Sequence, residues 1–131
     1  MTAQKVTCGC DCGSGPKLIF ACSGAADVGA VSDQAARQLT SEGVGKMFCL
    51  AGIGGRVSGI METTKAASAI LAIDGCSLSC AKKSLEEAGF NTFAHLCLAD
   101  IDMKKGETEV SEGNIAKVAE RAGELIREVT S

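Results

Sequence analysis

Residues 69–89 read AILAIDGCSLSCAKKSLEEAG, and this stretch decides the fold. Its first five residues, AILAI, form an apolar run that is too short for a helix and predicts a strand buried on both faces. After Asp74 and Gly75, apolar residues recur at helical spacing up to a terminal glycine: Leu78, Ala81, Leu85, Ala88 and Gly89. A doubly buried strand that leads directly into a helix is typical of a parallel sheet covered by helices.

The rest of the chain repeats this alternation. Three further apolar runs predict strands, namely LIFAC (18–22), KMFCLA (46–51) and NTFAHLCLA (91–99). Helices are predicted over 25–42, where Gly43 suits the end of the helix, within 56–68, and from Ile115 to Val129. We therefore expect an α/β fold: a small doubly wound parallel sheet of about four strands flanked by helices, Rossmann-like or flavodoxin-like, with an assumed strand order 2-1-3-4.

The composition fits one domain preceded by a leader. The chain has 131 residues, of which 46% are apolar and 22% charged, enough to bury a single core. Residues 1–16 are rich in cysteine and glycine and end at the single proline, Pro16. We predict a flexible cysteine-rich leader over 1–16 and one metal-binding α/β domain over 17–131.

Several classes of function are disfavoured by the same composition. The N-terminus lacks the apolar region of a secretory signal, and no apolar run approaches the roughly 18 residues that cross a bilayer. We therefore expect a cytoplasmic protein without a membrane partner. A net charge of −3 and only four aromatic residues, all Phe, argue against a nucleic-acid partner. The glycines of GIGGRVSG (52–59) match neither a P-loop nor a dinucleotide fingerprint, so no nucleotide cofactor is expected.

The eight cysteines are the main functional signal. In a reducing compartment they are not a disulfide scaffold, which leaves metal binding, thiol chemistry or burial as small apolar side chains. Cys22, Cys49 and Cys76 lie at or just after the carboxyl ends of three predicted strands, the edge where open parallel sheets bind ligands. Cys80 follows four residues after Cys76, a spacing that shares one helix face.

These positions predict a metal site formed by Cys22, Cys49, Cys76 and Cys80. Four thiolates suit tetrahedral zinc, and an iron–sulfur cluster that uses the same ligands is the less favoured alternative. The leader cysteines Cys8, Cys10 and Cys12 indicate either a secondary soft-metal site or a redox-active tail.

Other interpretations stay open for individual residues. Cys49 has an inert buried thiol as its alternative, because it lies in an apolar run. Cys97 alternates with Phe93 and His95 on one predicted strand and is better explained by packing. His95 is likewise better explained as a hydrogen-bonded strand histidine than as a metal ligand.

Several separated stretches resemble the DGC-domain family, whose members are regarded as zinc-binding proteins. The family takes its name from the Asp-Gly-Cys found here at 74–76. The resemblance runs from about residue 17 to the end and rests on five stretches: ACSGAADVG (21–29), AARQL (35–39), CLAGIGG (49–55), ILAIDGCSLSCAKKSLEEAG (70–89) and KKGETEV (104–110). It implies four chelating cysteines, which match Cys22, Cys49, Cys76 and Cys80.

The metal hypothesis has a competitor in thiol chemistry. A closed four-thiolate site leaves no vacant position for water, so hydrolysis by that ion is disfavoured and an enzyme is the less favoured reading. A structural or metal-handling role is preferred, and the leader passing soft metal to the domain is a variant of it. The alternative is a thiol redox protein with Cys76 as nucleophile and Cys80 or Cys22 as resolving thiol.

Overall fold

The computed structural model describes residues 15–130, built around a four-stranded parallel sheet. The strands are β1 (Lys17–Ala21), β2 (Lys46–Met47), β3 (Ala69–Asp74) and β4 (Ala94–Cys97). Their order is β2-β1-β3-β4, and every neighbouring pair is parallel. The predicted fold class and the assumed strand order are confirmed.

Helices cover both faces of this sheet. They are α1 (Asp27–Ser41), α2 (Leu50–Gly54), α3 (Ser58–Lys65), α4 (Cys80–Glu87) and α5 (Glu112–Thr130), with a 3₁₀ helix at Leu98–Ile101. Side chains of α1 and α5 share one core cluster with the sheet, whereas those of α2, α3 and α4 pack on the opposite face. None of the helices within residues 15–130 is long and apolar enough to cross a membrane.

The two cores follow from the alternation of side chains along β1. Ile19 and Ala21 point to the face covered by α1 and α5, while Leu18 and Phe20 point to the other. Because both sets are buried, the strand reads as a continuous apolar run in the sequence. This is the property that made the strands predictable.

The predicted strand over 46–51 is wrong beyond its first two residues. β2 ends at Met47, and Leu50–Gly54 turns into the short helix α2 instead. The strand is at the edge of the sheet and pairs only with β1 among the described strands. Phe48 and Leu50 reach the core beside Phe20 from this loop and helix, so their burial does not require a longer strand.

The other elements differ from prediction mainly at their ends. β4 occupies only Ala94–Cys97 of the predicted 91–99, since the 3₁₀ helix follows it at once. The short helix expected within 56–68 is α3. Gly43 follows α1 with φ +76°, the left-handed conformation expected of a glycine after a helix. The predicted leader lies outside the described residues except for Gly15 and Pro16.

Asp27, at the start of α1, anchors the loop that precedes α5. Its carboxylate accepts hydrogen bonds from the backbone N–H groups of Gly106 (2.9 Å) and Thr108 (3.0 Å), and also from Val28 (2.8 Å). These bonds, led by that from Gly106, lower the pKa of Asp27 below its ordinary value. Because the pKa of Asp27 is lower in the folded state, the ionised carboxylate stabilises the fold fully at pH values above its ordinary pKa. This stabilisation is lost as the pH falls through the folded-state pKa.

We therefore expect Asp27→Asn to speed hydrogen exchange at the amides of Gly106 and Thr108 at neutral pH. Below about pH 4, as the lowered pKa of Asp27 is approached, the unaltered protein should likewise lose protection at these amides, measured as the exchange rate relative to the intrinsic rate at each pH. NMR exchange measurements across this pH range test both effects. Glu107→Gln is the matched control, because it removes one carboxylate charge from the same loop without touching these amides. Equal effects of the two variants would contradict the anchoring role.

Candidate metal-binding site

Two of the four predicted ligands line one cleft at the carboxyl ends of β1 and β2. Cys22 directly follows β1, and Cys49 lies two residues after β2. The cleft has a volume of about 1060 Å³, and both cysteines line it together with Asp33 and Arg37 of α1. The prediction that strand ends bring thiols to one edge therefore holds for this pair.

Cys22 also contacts the loop that follows β3. Its backbone N–H donates to the carbonyl of Ile73 (3.0 Å), which extends the β1–β3 pairing by one residue. The backbone N–H of Gly75 in turn donates to Cys22 Sγ at 3.3 Å. The Cys22 sulfur thus lies against the Asp-Gly-Cys segment, where it contacts Gly75, the residue before Cys76.

Cys49 is an exposed helix cap, which contradicts the alternative of an inert buried thiol. Its Sγ accepts a hydrogen bond from the backbone N–H of Gly52 at 3.3 Å, at the beginning of α2. A backbone N–H group that donates to a cysteine sulfur holds that sulfur in place. Both Cys22 and Cys49 receive such a bond.

Cys76 and Cys80 are placed differently from the prediction. α4 begins at Cys80, and Cys76 lies in the preceding turn, so the two do not share one helix face. The helix does not extend back to Cys76, because Ser79 has a left-handed φ of +55° that a helix cannot contain. Cys76 is half-buried and Cys80 is exposed.

Sequence reasoning missed the role of Asp74, which holds this turn in place. The side chain of Asp74 is buried, with Oδ1 accepting from Ala81 N (2.7 Å) and Oδ2 from Lys82 N (3.1 Å). It therefore caps α4 from the end of β3. His95 Nε2 lies 2.8 Å from Asp74 Oδ2, so His95 is a hydrogen-bonded histidine, as predicted.

Cys97 has the environment of a packing residue. It is buried at the end of β4, opposite Asp74 in the sheet register. Burial is the main factor that raises the pKa of the Cys97 thiol, which favours the neutral form at neutral pH. A neutral buried thiol is a poor metal ligand, so the expectation that Cys97 serves packing is supported.

Polar side chains that line the same cleft as the thiols form a hydrogen-bonded arrangement. Asp33 accepts hydrogen bonds from Ser23 Oγ and from Arg37 Nε, both at 2.7 Å. Burial alone would raise the pKa of Asp33, but the bonds from Arg37 and Ser23 outweigh it and lower the pKa. An ionised Asp33 and a paired Arg37 therefore line the cleft that contains Cys22.

The described geometry is not that of a closed site. Within residues 15–130, no three His, Cys, Asp or Glu side chains lie close enough together to hold one ion. The donor chemistry nevertheless suits a soft metal, since four thiols occupy one edge of the sheet and two of them receive amide hydrogen bonds. Binding through all four requires side-chain and loop adjustment around Cys22. Cys8, Cys10 and Cys12 lie outside the described residues.

Comparisons with known proteins agree with the sequence resemblance. Residues 18–122 match the family described as the DGC domain. The chain is also similar to the "Anaerobic and virulence modulator AnvM" of Pseudomonas aeruginosa, with 33% identity over 100 residues that cover 76% of each chain. No solved structure matches.

Proposed function

Because the chain belongs to the DGC-domain family, we propose that it binds one metal ion, zinc, through Cys22, Cys49, Cys76 and Cys80. The observation that carries the proposal is the position of the Cys22 sulfur, which lines the cleft shared with Cys49 and accepts the N–H of the residue preceding Cys76. Cys22 therefore links the two halves of the proposed ligand set. The iron–sulfur cluster remains the less favoured occupant.

Each residue has a defined part in this proposal. The four thiolates would hold the ion, and the amides of Gly52 and Gly75 would support the sulfurs of Cys49 and Cys22. When bound, zinc would crosslink the loops after β1, β2 and β3 and neutralise the clustered thiolate charge. A complete four-thiolate shell leaves no position for a reacting water, so the role is structural or metal-handling rather than hydrolytic.

The exposed placement of two ligands favours metal handling or regulation over a purely structural ion. Cys49 and Cys80 are exposed, so a partner or oxidant can reach their sulfurs. The Pseudomonas relative is called an anaerobic and virulence modulator, and an oxidant-sensitive thiolate site would suit a regulator of that kind. We propose a cytoplasmic location as well, because reduced thiols that are available to a metal persist in a reducing compartment.

Site-resolved alkylation separates this proposal from thiol redox chemistry. We expect zinc to protect Cys22, Cys49, Cys76 and Cys80 together from iodoacetamide, because a coordinated sulfur is a weak nucleophile. Mass spectrometry of the reduced chain with and without one equivalent of zinc measures this. Cys97 is the internal control, since its burial should keep it slow in both samples. Rapid alkylation of Cys76 with zinc present would support the redox alternative and contradict chelation.

A further inference from the structure

We propose that Asp74 is a positioning residue for the proposed metal site: it fixes the segment that carries Cys76 and Cys80 relative to β3, with His95 keeping the Asp74 carboxylate in place. This inference rests on the proposed function, because it assigns a role within that site. Asp74 makes its contacts through both carboxylate oxygens, which are then engaged with protein donors and not directed at the ion.

The hydrogen bonds of Asp74 close a loop around the two thiols. Asp74 ends β3, and the amides that it binds belong to Ala81 and Lys82, seven and eight residues later. Cys76 and Cys80 both lie inside the segment that these bonds close. We infer that the placement of both thiols depends on this carboxylate and not on helix geometry alone.

The half-buried Cys76 packs against the core cluster of α1 and α5, but Ser79 adds little support to this loop. Ser79, at the cap position of α4, makes no side-chain cap hydrogen bond to any residue that the structure describes, and its left-handed φ of +55° is unfavourable for a non-glycine residue. Its N–H donates to the carbonyl of Cys76 at 3.1 Å. A side-chain cap from Ser79 itself would stabilise the helix as well as the cap from Asp74 does. Because Asp74 belongs to β3, its cap also fixes where α4 begins relative to the sheet.

The sheet attachment is what relates Cys80 to the other ligands. β3 pairs with β1, and the amide of Gly75, next to Asp74, donates to Cys22 Sγ. Asp74 thus connects the N-terminus of α4, with Cys80, to the strand end that carries the Cys22 contact. The loss of this link should affect metal binding more than it affects the helix itself.

His95 fixes the orientation of the carboxylate from the neighbouring strand. It lies on β4, which pairs with β3, and its Nε2 is 2.8 Å from Asp74 Oδ2. The Asp74 side chain is 1% exposed and that of His95 is 23% exposed. A buried carboxylate is costly unless its oxygens are fully hydrogen-bonded. His95 adds a third contact to the two that the amides of Ala81 and Lys82 make.

The test compares Asp74→Ala and Asp74→Asn with Leu85→Ala in the full chain. Leu85 is a buried residue of α4 that makes no hydrogen bond to Asp74 through its side chain, so its truncation reports the effect of weakening the helix alone. Zinc release to a chelator and the visible spectrum of the cobalt-loaded protein are recorded for each variant, together with urea unfolding of the metal-free form.

We expect Asp74→Ala to weaken zinc binding by about ten- to hundredfold, the usual effect of removing a group that supports metal ligands. Asp74→Asn should restore part of this affinity, because its amide oxygen still accepts the N–H of Ala81. Leu85→Ala should lower stability with a smaller loss of affinity and an unchanged cobalt spectrum. If the affinity losses of Asp74→Ala and Leu85→Ala simply follow their losses of stability, the positioning role is overturned.

A metal-independent measurement separates this inference from the proposed function. In the zinc-free protein, Asp74→Ala should accelerate hydrogen exchange at the amides of Ala81 and Lys82 and raise the alkylation rate of Cys80. Absence of zinc binding in the unaltered chain would overturn the proposed function. Unchanged exchange and alkylation in Asp74→Ala would overturn the control of the loop by Asp74.

Discussion

Cys76→Ser is expected to weaken zinc binding by about 10²- to 10³-fold. A structural zinc site contributes roughly 10–16 kcal/mol, so one of four equal thiolates accounts for about 2.5–4 kcal/mol, which corresponds to that loss of affinity. Titration of the reduced chain against a zinc indicator measures the change.

The other three ligands extend this prediction into a pattern. Serine at Cys22, Cys49 or Cys80 should produce a loss of the same order, whereas Cys97→Ala should leave the zinc stoichiometry unchanged. Alanine is chosen at Cys97 because the site is buried and a serine hydroxyl would need a partner there. Full retention of zinc in the Cys76→Ser protein would exclude the proposed ligand set.

Gly75→Ala is expected to destabilise the fold by about 1–3 kcal/mol, as overpacking of a tight contact usually does. A Cβ atom at Gly75 would lie 2.8 Å from both the backbone carbonyl carbon and Cγ2 of Val28 on α1. The loop after β3 must then move away from α1, which displaces the N–H that donates to Cys22 Sγ. Urea unfolding of the metal-free protein tests the loss of stability.

Gly59→Ala is the matched control for this change. Gly59 lies in the first turn of α3, where an added Cβ would meet no described atom within 4 Å. Alanine there should raise stability by up to about 0.5–1 kcal/mol, because glycine loses more backbone entropy in a helix. Equal effects of the two substitutions would show that close packing is not the reason for glycine at position 75.

The fold was predictable because its two central strands, β1 and β3, are buried on both faces. The runs that became β1 and β3 are apolar at every position from Leu18 to Ala21 and from Ala69 to Ile73, and the predicted helix over 25–42 keeps a clear period. The edge strand β2 was less predictable, because it pairs with only one described neighbour. The apolar residues that follow it can be buried from a loop and a helix as well as from a longer strand.

Only the location of the candidate site was predictable. Strand ends placed Cys22 and Cys49 at one edge of the sheet, because parallel strands direct their carboxyl ends to the same side. The turn at Cys76 was not predictable, since it depends on a left-handed serine and on a cap that reaches back seven residues to Asp74. Local sequence patterns describe helix caps of adjacent residues and not those supplied by a strand.

The most direct test of four-thiolate coordination is zinc K-edge X-ray absorption on the zinc-loaded chain. Cys8, Cys10 and Cys12 are replaced with serine in this sample, so that leader sulfurs do not contribute. We predict four sulfur ligands at about 2.3 Å and about one zinc per chain. A shell with two or fewer sulfurs, completed by nitrogen or oxygen, would contradict the assignment of Cys22, Cys49, Cys76 and Cys80 as the metal site.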